Sequence, residues 1–404
     1  MIYDLIVIGS GASGIMASIT ASKDAKKVLL LEKLPTIASK LKATGGGKCN
    51  ITNTLDNDDF MHRFGRNGRF IQDALKVFDH TNLIDFLAEI GVETHAPDGF
   101  RVFPTSHSSQ TIIFALEKKM QELGIKLKCS QKVVKLICED NNITKVQTAD
   151  ATYNCKNVVL ATGGLGFSSL GAEGDGYELS CEVGHNVTEL YPAMLPLHTK
   201  ESWVANCRAN TIAKAKIKVD MKKHKKLQAT GDLIFTKKGI RGPVVLDFAR
   251  ELTPLISKYN EVPIVINLTG GMNEDAILQH LKKQTTNIKD AIKTILPESL
   301  AKEICSLADI KTDITFCKID GIKKDKLISL LAWTPLTLIG SDGFKMAMIT
   351  KGGIKLKEID PKTMKSKKVD NLYFCGEVID IDGPCGGYNL QWSFSSGYLA
   401  GLLR

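Results

Sequence analysis

The sequence predicts an α/β protein whose parallel sheet is assembled from both ends of the chain and interrupted by an inserted β-rich and helical region. Three observations carry this. Residues 1 to 33 read as strand, glycine turn, helix and strand; VVLA at 158–161 is an uninterrupted apolar strand running into a glycine turn; and the tail, from about residue 348, returns to strand, glycine turn and closing helix.

YDLIVIG is an apolar strand, GSGASG a turn, the next stretch a helix to about Ser22, and KKVLLLEK a second strand, which together make a βαβ unit. A Gly-rich loop near residue 46 precedes helical stretches around 68–90 and 108–123. The segment KVVKLICEDNNITKVQTADATYNCKNVVLATGG then alternates as a small β-meander, with Asn141-Asn142 expected as its hairpin turn. From Tyr191 the texture changes to short strands (YPAMLPL, AKIKVDM, GDLIFT, VPIVINL), and residues 273–332 carry amphipathic helices such as DAILQHLKK and DKLISLLAW. The expected division is a nucleotide-binding-type domain in two parts, 1–190 and 348–404. Between them lie an inserted β-rich domain at 191–271 with return strands at 333–347, and an inserted helical domain at 272–332.

Composition bounds the function classes. Of the 404 residues 43% are hydrophobic and 24% charged, and no segment has the length of apolar sequence needed to span a bilayer. The first residues enter a strand directly, with Asp4 early, and lack a signal-peptide pattern, so a cytoplasmic location without membrane attachment is expected. Ten cysteines are scattered without C-x-x-C pairs or ligand spacing, so no metal is expected. The formal charge of +9 is concentrated locally, with seven lysines in KAKIKVDMKKHKK and four in KTMKSKK. In the first run Ile217, Val219 and Met221 alternate with Lys216, Lys218 and Asp220, as in a strand with one wet face, and KKHKK reads as its hairpin tip. No aromatics interleave the lysines, so nucleic acid is not the expected partner.

Gly9-x-Gly11-x-x-Gly14 follows a strand and opens a helix, and Glu32 closes the second strand. Gly9 permits the tight turn, Gly11 lets the backbone approach a pyrophosphate, Gly14 allows close packing, and Glu32 can accept hydrogen bonds from an adenosine ribose. The motif specifies an ADP-bearing dinucleotide and leaves NAD and FAD open. TGGGKCN, Thr44 to Asn50, adds glycines beside Lys48 and Cys49 that suit phosphate or flavin carbonyls; ATGG and the tail GEVIDIDGPCGGYNLQW add two further glycine turns, the last opening a helix.

These ordered motifs, together with FRVFP, GDGYELS, GDLIFTKKGIRGP and TKGGI, resemble almost end to end the bacterial FAD-binding flavoprotein family described as HI0933-like, BaiN-like or aminoacetone-oxidase-like. The resemblance implies a glutathione-reductase-like FAD-binding fold, a Rossmann-type parallel sheet with a β-meander, carrying inserted β-barrel-like and helical domains. It assigns contacts with non-covalent FAD to Gly9, Gly11, Ala12, Ser13, Gly14, Glu32, Lys33, Lys40, Thr44, Gly45, Gly46, Lys48, Cys49, Ala161, Thr162, Gly163, Gly376, Glu377, Asp382, Asn389 and Leu390. Lys237 and Arg241 stand where the family often has His and Ser, and Lys365 sits in a turn that is usually acidic.

The function expected is an FAD-dependent oxidoreductase passing electrons from NAD(P)H to a small organic acceptor. No second G-x-G-x-x-G exists, so NAD(P)H would visit transiently. Arg101 as anion clamp, Cys49 as nearby thiol and Tyr388 as proton donor are the candidates for the flavin's substrate side. An oxygen-using amine or amino-acid oxidase and an RNA-associated flavoprotein are the alternatives.

Overall fold

A strand whose residues from Leu5 to Ile8 are all buried must be covered on both faces, the condition of a central parallel strand. In the computed structural model, which describes every residue except Ala25, the strand Ile2–Ile8 is central in a seven-stranded sheet. Strand Val28–Leu31 lies on one side of it, followed by Lys126–Lys128, and all three run parallel. On the other side lies Thr152–Leu160, which divides its pairing. Lys145 to Gln147 of strand Asn142–Thr148 pair antiparallel with its first residues, while Leu372–Phe374 from the C-terminal tail pairs parallel with Val158, Val159 and Leu160. One strand thus joins the meander to the far end of the sequence.

The hairpin between Val133–Glu139 and Asn142–Thr148 turns one residue earlier than expected. Asp140 and Asn141 carry the left-handed backbone (φ 46° and 60°), and Asn142 already begins the next strand, paired with Glu139. Two left-handed residues are what a type I′ turn requires, and Asp and Asn tolerate that region best after glycine.

The described residues form two compact units, Met1–Tyr191 with Met348–Arg404, and Pro192–Ala347. In the first, helix Ala12–Ser22 is buried along its whole length and packs against the closing helix Tyr388–Gly401. Gly397 and Gly401, one turn apart, make the approach close: a Cβ on Gly397 would overlap the Ser13 carbonyl oxygen, and one on Gly401 would stand 2.6 Å from that of Ala17. Behind the sheet, residues 184–188 and 353–368 are stitched together. Ser366 Oγ accepts the Lys368 and Val369 N–H groups, so its own proton goes to His185 Nε2 (2.8 Å) and His185 Nδ1–H donates to Glu358 (3.1 Å). Glu358 also accepts both Asn186 N–H groups and pairs with Lys368, and the Phe374 ring stands edge-on to the imidazole. Although the residue types are those of a hydrolytic triad, the serine oxygen is buried and its lone pairs are spent on backbone. The set is a clip.

The second unit is a closed six-stranded barrel in the order Leu197–Thr199, Gly239–Arg241, Gln228–Phe235, Thr211–Val219, Val262–Asn267, Thr334–Ser341. Ile212, Ala215, Ile217 and Val219 point inward from one strand, and Lys222–His224 forms a short turn at the hairpin tip. Helix Pro243–Tyr259 and the four helices between Glu274 and Ala332 share a single apolar core with the barrel.

Two outcomes follow for stability. Gly397→Val should force the two helices apart and lower unfolding free energy by about 1–3 kcal/mol, as overpacking does, read from urea denaturation; an unchanged midpoint would show the contact is not tight. Burial lowers the His185 pKa below its ordinary 6.5, despite the neighbouring Glu358. Burial alone would raise the Glu358 carboxyl, but Asn186 and Lys368 outweigh it and hold the group at about 2. Both groups have depressed folded values, so their stabilisation is present above the unfolded values and lost as pH falls. Thermal midpoints should therefore decline below about pH 6.5 and further below about pH 4.5, and His185→Gln should flatten the first decline.

Candidate functional site

The first unit gathers the glycine turns at the carboxyl ends of its parallel strands. Strand Ile2–Ile8 ends in Gly9 (φ 100°), where a Cβ would lie 2.6 Å from the Ala161 carbonyl oxygen, and a Cβ on Gly14 would overlap the Gly9 carbonyl oxygen. Both positions are therefore required by the protein's own packing. Gly11 differs. It caps helix Ala12–Ser22 in an extended conformation, and a Cβ there would meet nothing within 4 Å. Open space directly before a helix N-terminus, with its free N–H groups and partial positive charge, accepts a pyrophosphate.

Glu32 follows strand Val28–Leu31 and is buried. Its Oε2 accepts the backbone N–H (2.9 Å) and hydroxyl (2.6 Å) of Ser10, and its Oε1 accepts the Leu34 N–H (2.9 Å). The carboxylate is thereby locked beside the glycine turn, and a carboxylate has about four acceptor positions, leaving capacity for a ribose hydroxyl. Lys33 next to it is engaged elsewhere, with Asp175 at 2.6 Å and Glu173 at 2.9 Å.

A second cluster forms where the ATGG and GEVID turns meet. The Gly376 position lies against helix Ala12–Ser22, since a Cβ there would stand 2.5 Å from Ser13 Oγ; its N–H donates to Ser396 Oγ and its carbonyl accepts Trp392 Nε1. Glu377 pairs with Lys40 Nζ at 2.5 Å and accepts the Thr350 N–H at 2.9 Å. Thr350 Oγ1 in turn accepts the Leu165 and Gly166 N–H groups. Beside this cluster Thr162 Oγ1 is buried without a partner, and Gly163 (φ 72°) has open space where a side chain would be.

The third neighbourhood holds the candidate substrate-side residues. The short strands Thr52–Asn53 and Arg101–Pro104 pair with Asn53 opposite Arg101, and Asn53 Nδ2 donates to the Gly386 carbonyl at 2.8 Å. Gly387 (φ 88°) is pressed onto the Thr52 backbone, and Asn389 holds Gly383 through both its amide atoms. TGGGKCN, FRVFP and GPCGGYN are thus brought together. Within this group the three candidates differ. Arg101 is half exposed, its Nε held by Asp98 at 2.7 Å. Tyr388 begins the closing helix and is buried among Phe60, Phe64 and Phe100, the nearest ring centroid 4.9 Å away. Cys49 is fully buried, and burial pushes its thiol up to about 12, so it stays protonated and packs as a small apolar side chain. Asp382 is buried in the same turn, Leu390 partly so, while Gly45, Gly46 and Lys48 lie exposed on the glycine loop.

The open face at Gly11, the orphaned Thr162 hydroxyl and the unfilled space at Gly46 and Gly163 are features a long cofactor with phosphates at one end and a polar ring at the other would satisfy. Ser10, Thr350 and Trp392 brace the glycine turns through side-chain hydrogen bonds. All three lie within the motifs GSGASG, TKGGI and GEVIDIDGPCGGYNLQW, but their partners are distant in sequence and only the fold brings them together. Among the described residues no group of three His, Cys, Asp or Glu side chains is arranged to hold a metal ion, and no helix is long and apolar enough to cross a membrane.

Residues 3–403 match the family model described as HI0933-like protein Rossmann domain. The chain is 29% identical over 403 residues to a 3-dehydro-bile acid delta(4,6)-reductase of Clostridium scindens, covering 98% of this chain and 97% of that one. A ribosomal RNA dihydrouridine synthase of Haemophilus influenzae matches with the same identity and coverage. The fold is also that of 3-ketosteroid delta1-dehydrogenase from Sterolibacterium denitrificans, with a TM-score of 0.55 at 13% identity, covering 99% of each chain. The chain is a FAD-dependent oxidoreductase and belongs to the HI0933-like Rossmann-domain family.

Proposed function

We propose that this enzyme is a reductase that takes electrons from NAD(P)H and adds hydrogen across a carbon–carbon double bond conjugated to a carbonyl group in a small organic molecule. The observation that carries the reading is the shared chemistry of its full-length relatives, a bile-acid delta(4,6)-reductase and a dihydrouridine synthase, whose names both denote saturation of an alkene activated by a nearby carbonyl. FAD held at this site would supply a two-electron carrier between NAD(P)H and the double bond.

This chain's residues do the rest. Gly11 and the start of the following helix, Ala12 and Ser13 included, hold the pyrophosphate in the turn that Gly9 and Gly14 keep tight, and Glu32 takes the ribose. Lys40, Thr44 to Gly46, Lys48, Ala161 to Gly163, Gly376, Glu377, Asp382, Asn389 and Leu390 line the path toward the flavin ring. Lys33 and Cys49 support this path through packing and charge. Arg101, whose guanidinium is held at Nε alone by Asp98, keeps its outer nitrogens for the substrate carbonyl and stabilises the negative charge that hydride addition places there. Tyr388 sits one residue after the Gly386-Gly387 turn and serves as proton donor or as the wall that orients substrate.

A second reading replaces the small molecule with a uridine base in RNA. The chemistry is the same addition to a double bond conjugated with a carbonyl, and the full-length likeness to a dihydrouridine synthase favours it.

Gly11→Val puts its Cβ in open space, so it should leave the thermal midpoint close to wild type while lowering FAD content severalfold, measured from the absorbance of released flavin. Full occupancy in that variant would remove the pyrophosphate assignment. In anaerobic stopped-flow mixing, NADH or NADPH should bleach the flavin and an enone should restore it; bleaching by amines with reoxidation only by oxygen would make the enzyme an oxidase. Arg101→Ala should slow enone-dependent reoxidation by about 100–1,000-fold, the range for removing one charge-stabilising donor, and Tyr388→Phe should slow it less, each with unchanged FAD content. Reoxidation at wild-type rates in Arg101→Ala would assign that side chain to anchoring its loop.

A further inference from the structure

The net charge of the chain lies entirely in one of its two units. Pro192–Ala347 contains 25 Lys and Arg against 16 Asp and Glu, a formal +9, whereas the remaining residues carry 28 of each and balance. More than half of that excess is on one barrel hairpin, Thr211–Phe235, where Lys214, Lys216, Lys218, Lys222, Lys223, Lys225 and Lys226 face only Asp220 and Asp232.

These lysines are not neutralised by the fold. Elsewhere in the barrel unit Lys200 pairs with Glu261, Lys238 with Asp342 and Lys323 with Asp309. Among the described residues none of the seven hairpin lysines forms an ion pair. Asp232 accepts instead from the Lys214 backbone N–H. Lys216 and Lys218 stand on the outer face between the buried Ala215, Ile217 and Val219, roughly 6–7 Å apart along the strand, and the tip beyond them is exposed.

Folding also supplies what the linear sequence lacks. Aromatic rings do not interleave the lysines along the chain, yet Trp333 lies beneath Lys218 Nζ at 3.9 Å from its centroid. Tyr259 lies 5.8 Å from the His224 ring, with Lys258 over its own face. Both rings are partly exposed. Unpaired cations along a strand with flanking aromatic faces are the elements of a surface that tracks phosphates and stacks bases.

We infer that the hairpin Thr211–Phe235, flanked by Trp333 and Tyr259, is a docking surface for single-stranded RNA. The inference rests on the second reading above, in which an RNA base is the electron acceptor, and it names the surface that would hold the polymer. Phosphates meet the lysines and bases meet the two rings, so binding here is strong at low salt and carries little sequence preference.

The test uses the full-length flavoprotein, a fluorescein-labelled 20-nucleotide single-stranded RNA read by anisotropy, and phosphatidylserine vesicles as a competing polyanionic surface. Wild type should bind the RNA with an affinity that falls steeply with salt. The variant carrying Lys222→Gln, Lys223→Gln, Lys225→Gln and Lys226→Gln should bind at least tenfold more weakly, with a log–log salt slope shallower by about 3, from roughly 0.7 per lost contact. Lys218→Met should weaken binding less. FAD content and the rate of flavin reduction by NAD(P)H should be unchanged in both variants. Absence of RNA binding by wild type, unaltered affinity and slope in the fourfold variant, or preference for vesicles over RNA would each overturn the inference. Its fate separates from that of the reading beneath it. Uridine reduction at wild-type efficiency by the fourfold variant, detected by RNA mass, refutes the surface and keeps the RNA reading; hairpin-dependent binding with no reduction keeps the surface and refutes that reading.

Discussion

The close contact between the first helix and the last is the constraint on which the first unit depends. Ala12–Ser22 and Tyr388–Gly401 come from opposite ends of the chain, and they meet because Gly397 and Gly401 present bare backbone to Ser13 and Ala17. That contact sets the Gly376 turn against Ser13 and lets Trp392 donate to the Gly376 carbonyl. The glycine turn after the first strand, the ATGG turn and the GEVID turn can then share one edge of the sheet. Any side chain larger than hydrogen at these crossings separates two parts of the site together, since interiors transmit displacement instead of absorbing it.

Chemistry is distributed unevenly across that edge. At the first glycine turn the polar groups are already satisfied, with Glu32 locked by three hydrogen bonds. Toward the expected ring end, Thr162 Oγ1 is buried without a partner, and the glycines beyond it leave open space. A carboxylate already oriented costs little reorganisation on binding, whereas an unpaired buried hydroxyl is a standing cost that a ligand can relieve.

The two units also differ in electrostatic character. The sheet unit balances its charges and pairs many of them, as in Lys40–Glu377 and Lys33–Asp175, so its field is local. The barrel unit leaves a row of lysines unpaired over a well-packed apolar core. Because stability of the barrel comes from Ile217, Val219, Ile264 and Leu336 and their neighbours, its outer face is free to carry charge that adds nothing to folding.

The sequence by itself determined the βαβ start, the meander, the return of the tail to the sheet and the lysine hairpin, since each rests on local periodicity and on glycines whose backbone role is short-range. It placed the meander turn one residue late, because Asp140, Asn141 and Asn142 are all competent turn residues and only the pairing of Glu139 with Asn142 selects among them. Tertiary structure decided what depends on neighbours distant in sequence. It buried Cys49 and so kept its thiol neutral, tied Arg101 to Asp98 at one nitrogen, and completed the His185 clip with partners from residues 358 to 374. It also laid Trp333 beneath Lys218, more than a hundred positions away. Burial, pKa and ring contacts are sums over surrounding atoms, and no window of sequence contains those atoms.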